Sequence, residues 1–137
     1  MDSVSYPYQQ YRATAVTTAS PVELITMLYR GVLRFTQQGA QAIERGDVGA
    51  AHDSFVRAQD IVAELTSSLD AESGGEVARG LVAVYDYAYR KLVEANCRKA
   101  TGPALEVAGL FRELLPAWQA LAAGQSRELA AAGAVAR

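Results

Sequence analysis

The chain has 137 residues, 50% hydrophobic and 20% charged, which suits one domain with a substantial core. Its 13 lysines and arginines against 15 acidic residues give neither the basic footprint of a general nucleic-acid binder nor a polybasic membrane signal. No apolar run reaches the roughly 20 residues of a membrane span, the N-terminus lacks the basic-then-apolar pattern of a secretory signal, and Cys97 is the single cysteine, so a reduced cytoplasmic setting is expected.

Residues 1–19 read as a polar, tyrosine-rich arm, in which Pro7, Val16 and the Thr17-Thr18 pair discourage a long helix. Ser20-Pro21-Val22-Glu23 is a helix start: serine caps the free backbone donors, proline sits where no donor is needed, and glutamate can complete a capping box. Leu24, Leu28, Val32, Phe35, Gly39 and Ala42 follow at spacings of three and four, and Gly46 marks the stop. Asp47 is placed to cap a second helix, whose seam is Val48, Ala51, Phe55, Ala58, Val62, Leu65 and Leu69. The chain turns between Asp70 and Gly75.

A third helix is predicted from Glu76 to Arg98, with Val77, Leu81, Val84, Ala88, Leu92 and Ala95 as its seam. Gly102-Pro103 separates it from a fourth, whose seam is Ala104, Ala108, Phe111, Leu115, Trp118 and Ala122. Pro116 lies inside that helix and predicts a kink. The Ala- and Gly-rich tail, 123–137, is expected to fray. No strand or hairpin signal occurs. The fold class is therefore all-α: an antiparallel up-down-up-down four-helix bundle over 20–122 with a short tyrosine-rich N-terminal arm.

Helices three and four carry more apolar surface than one seam needs. Val82, Tyr85, Tyr89 and Val93 form a second stripe on the third helix, and Val107, Leu110, Leu114 and Leu121 one on the fourth. Wide apolar faces serve an ordinary globular bundle, and they serve equally a groove that accepts another helix. The arm's Tyr6, Tyr8 and Tyr11 offer large area at low entropy cost. Such an arm could shield a groove until a partner displaces it.

Five segments in order resemble the flagellar secretion chaperone family FliS: PYQQY at 7–11, TASPVELITMLYRG at 18–31, LTSSLDAESGGEVARGL at 65–81, AVYDYAYRKLVEAN at 83–96 and LFRELLPAW at 110–118. The resemblance spans roughly residues 7–122. It implies a helical bundle that binds the disordered C-terminal segment of flagellin, prevents premature polymerisation in the cytoplasm and aids delivery to the flagellar type III export apparatus. That apparatus and other flagellar regulators are candidate further partners. On the same resemblance Tyr8, Tyr11 and Val16 form an N-terminal cap, and Ile61, Leu65, Val82, Tyr85 and Tyr89 are candidate partner contacts, with Leu28 and Val32 in the core. The chain departs from the family at Arg30, where its LYDG motif has aspartate, and at Gly80, where asparagine is common.

Enzymatic chemistry has little to stand on. His52 is the only histidine and Cys97 the only cysteine, too few for a four-ligand zinc site of histidines and cysteines. No P-loop or dinucleotide fingerprint indicates a cofactor. Asp86, Arg90 and Glu94 read as a solvated i,i+4 charge ladder. Two other classes stay open: a bundle that self-associates through helices three and four, and a histidine phosphotransfer domain using His52. Phe55 and Val56 follow that histidine where a basic and a small residue are expected. A monomer or weak homodimer is the expected state.

Overall fold

A computed structural model describes residues 20–70 and 74–136. The arm, with Tyr8, Tyr11 and Val16, lies outside the described residues. Four helices follow in order: α1 Pro21–Glu44, α2 Val48–Ser67, α3 Gly75–Arg98 and α4 Thr101–Ala136. No strand occurs among the described residues, and none of the described helices is long and apolar enough to cross a membrane.

The helix ends follow from local chemistry. At α1 the Ser20 hydroxyl accepts the Glu23 N–H at 3.1 Å, with Pro21 in the first turn. The helix closes with Gly46 N–H donating to the Ile43 carbonyl and Asp47 N–H to that of Ala42, the paired bonds of a left-handed C-terminal cap. Gly46 supplies the required φ of 76° at no side-chain cost. Asp47 then caps α2, its carboxylate accepting the Ala50 N–H at 3.0 Å. α3 ends on the same design with lysine in place of glycine: Lys99 has φ 51°, and its Nζ binds both the carbonyl and the Oδ1 of Asn96 at 2.6 Å.

Each helix packs on two neighbours, α1 and α3 both resting on α2 and α4. α1 approaches α2 through glycines: a Cβ on Gly31 would lie 2.9 Å from the Ile61 Cδ1, and one on Gly39 only 2.6 Å from the Phe55 ring. Those pairings make α1 and α2 antiparallel. α2 and α3 are antiparallel too, since His52 near the start of α2 meets Asn96 near the end of α3, whereas Thr66 shares a groove with Val82. Between α3 and α4, Tyr85 stacks on Phe111 at 6.0 Å and Lys91 pairs with Glu106 at 3.7 Å. Leu28 and Val32, with Phe55, Val62, Leu92 and Phe111, build the core.

Two seam assignments need correction. Val77 and Val48, assigned to seams, are exposed, Val77 by 74%. The buried line of α3 keeps Ala88, Leu92 and Ala95 of the expected seam, with Leu81 and Val84 packed against the core, and adds Ala78 and Tyr85. Val107, placed on the surplus stripe of the fourth helix, is fully buried. The segment after Ala123 is helical to Ala136, in keeping with alanine's leading helix propensity. α4 also continues through Pro116, which is exposed.

Candidate partner-binding groove

The outer seam between α2 and α3 opens into a groove of about 540 Å³ lined by Ala63, Thr66, Ser67, Arg79, Val82, Ala83, Tyr85, Asp86 and Tyr89. On α2 the lining residues are small and recur at three- and four-residue intervals, so that wall is low. Thr66 and Ser67 turn their hydroxyls back to the Val62 and Glu64 carbonyls, each at 3.0 Å, which satisfies them within the helix. On α3 the lining residues recur at helical intervals, so one face supplies the higher wall. Val82 is half-buried and Tyr89 is 38% exposed. Asp86 pairs with Arg90 at 2.9 Å along the rim.

Tyr85 forms the floor. It is 1% exposed, and its hydroxyl lies 2.5 Å from that of Tyr29. Tyr29 crosses Phe111 edge-on at 4.8 Å, with the Trp118 ring centroid 6.2 Å away. Burial raises the pKa of both phenols, that of Tyr85 strongly, so they remain neutral through the physiological range. The groove thus offers an aromatic floor, a methyl-rich wall and a charged rim. That combination holds apolar side chains and orients them by charge; it supplies no nucleophile with an adjacent base.

The structure brings Val82, Tyr85 and Tyr89 together, as the stripe suggested, but Tyr85 is an interior residue rather than an exposed one. Ile61 and Leu65, expected among the contacts, are core residues at 2% and 1% exposure. Their phase on α2 points them at α1, where Ile61 meets Gly31. The sequence reading missed Ala63, Thr66 and Ser67; their signal was small size at helical spacing opposite an apolar stripe. Arg30 lines a different groove, between α1 and α4, with Glu23, Thr26, Met27, Gln119, Ala122 and Ala123.

Beyond the groove, His52 Nδ1 is 3.0 Å from the Asn96 side-chain nitrogen. The Asn96 oxygen is already taken by Lys99, so the amide donates and Nδ1 accepts. Lys91 sits between Glu94 at 3.4 Å and Glu106 at 3.7 Å; chiefly the charge of Glu94 raises its ammonium pKa. Tyr87 donates its hydroxyl to Glu106. Among the described residues no group of three or more histidine, cysteine or acidic side chains is arranged to hold a metal ion.

A family model described as flagellar protein FliS matches residues 4–125. The flagellar secretion chaperone FliS of Bacillus subtilis is 35% identical over 134 residues, spanning 98% of this chain and 99% of that one. The flagellar secretion chaperone FliS of Salmonella typhimurium is 37% identical over 107 residues, or 77% of this chain and 79% of that one. Flagellar secretion chaperone FliSB of Pseudomonas aeruginosa is 35% identical over 115 residues, 83% of this chain and 91% of its own length.

Proposed function

The chain belongs to the FliS family of flagellar secretion chaperones, and from that membership we propose that it binds the C-terminal segment of unpolymerised flagellin in the bacterial cytoplasm. Holding that segment keeps its apolar helical faces from pairing with other subunits and leaves the cargo extended enough for the flagellar export apparatus. The protein acts by binding alone, without a chemical step. The arm, through Tyr8, Tyr11 and Val16, covers part of the bundle until cargo displaces it.

The observation that supports this reading is the α2/α3 groove, where Val82 and Tyr89 stand over the Tyr85 floor and, among the described residues, no further helix lies on top. An amphipathic guest helix docks in such a place through i, i+3, i+4 and i+7 anchors. At about 25 cal/mol per Å², covering about 1,000 Å² of apolar surface contributes roughly 25 kcal/mol gross. Ordering and immobilising the guest consumes much of it.

Calorimetric titration of the full chain with a peptide spanning flagellin's C-terminal segment tests the proposal. The expected result is stoichiometric binding with a negative heat-capacity change, the mark of apolar burial. A folded chain that gives no heat and no mobility shift with that peptide refutes it.

A further inference from the structure

We propose that Tyr29, a core residue of α1, is a positioning residue for the guest groove: its hydroxyl holds the Tyr85 hydroxyl inside the bundle, so that the groove floor presents ring carbon instead of a polar group. The inference rests on reading the α2/α3 groove as the guest site. Tyr85, which lines the groove, is tied to α1 by the 2.5 Å bond between the two hydroxyls. Tyr29 is itself fully buried and does not line the groove.

The two partners are not equivalent. Tyr29 is buried away from the groove, so if Tyr85 loses its hydroxyl the one left on Tyr29 stays off the floor. Tyr85 has Tyr29 alone among the described residues. Removing the Tyr29 hydroxyl therefore orphans a buried polar group, which is unfavourable. The solvent nearest to Tyr85 is in the groove it lines. Its ring stacks on Phe111 with planes 14° apart. The orphaned hydroxyl turns toward that water and puts a hydrated group where a guest's apolar anchor must sit.

Tyr29→Phe and Tyr85→Phe delete the same hydrogen bond, so a merely structural bond moves both variants alike. Positioning predicts an asymmetry. In titrations with the flagellin C-terminal peptide, with melting curves recorded alongside, Tyr85→Phe and the double variant, both without a floor hydroxyl, should bind alike. Tyr29→Phe should bind about tenfold more weakly, because only it leaves an unpartnered hydroxyl at the floor. Recovery of affinity in the double variant is the signature. Equal affinities for the two single variants overturn the inference and leave the guest site standing. A parent chain that does not bind the peptide removes the guest-site reading and this inference with it. If Tyr29→Phe does not fold, the other two variants decide: a tenfold loss in either, on the same scale, would mean that the Tyr85 hydroxyl itself meets the guest.

Discussion

Tyr85 spans three roles at once: it fills the centre of the bundle, closes the floor of the groove and ties α3 to α1. Truncating it removes a ring stacked on Phe111 and packed edge-on to Tyr29. Tyr85→Ala should cost about 3–5 kcal/mol, as large aromatic deletions in cores do, read as a drop in the urea midpoint. Gly39 sits at the opposite extreme of size. Its added Cβ would lie 2.6 Å from the Phe55 ring, and a buried aromatic cannot swing away freely, so Gly39→Ala should lose about 1–3 kcal/mol. Asp60 carries the reverse sign. Burial raises its carboxyl pKa above 3.8, so the folded state holds its proton longer and stability falls as pH rises through that window. Asp60→Asn should raise the melting temperature at neutral pH and flatten the stability curve just above that value.

At the scale of the helices, Gly80 is the clearest place to strengthen the fold. It lies inside α3, exposed, and an added Cβ would meet nothing within 4 Å. Gly80→Ala should therefore gain up to about 1 kcal/mol, visible as a higher denaturant midpoint, without change in the groove. The helix starts and stops were legible because they depend on a few adjacent residues: Ser20 and Asp47 cap as their side chains require, and Gly46 turns where a left-handed residue is needed. The places of Val77 and Tyr85 on α3 were not. Val77 and Ala78 differ by about 100° of phase, and hydrophobicity favours burying valine. Tyr85 is buried against Phe111 and Tyr29, a contact between residues far apart in the chain. The same holds for the groove. Its α3 wall was visible as a stripe, while the α2 wall of Ala63, Thr66 and Ser67 is defined by smallness, which carries meaning only once the opposing helix is known.

For the molecule as a whole, the buried tyrosine pair sets an alkaline limit. Both pKa values are raised from 10.0, so the stabilisation is complete below that value and is lost at higher pH, where only the unfolded chain ionises freely. Urea midpoints should be flat to about pH 9 and fall beyond about pH 10, and Tyr85→Phe should soften the fall. The helices also differ in reach. α4 has 36 residues against 24 for α1, so at 1.5 Å per residue it outruns α1 by about 18 Å.

The corner after α3 has a mechanical meaning. Lys99 is held left-handed by its own bonds to Asn96, and Asn96 in turn bonds His52 on α2, so this end of α3 is pinned to α2. The other end begins at Gly74 and Gly75, whose first turn has no side-chain cap. The uncapped first turn lies beside Arg79 and Val82, so backbone amides there should exchange with solvent faster than those beside Asn96.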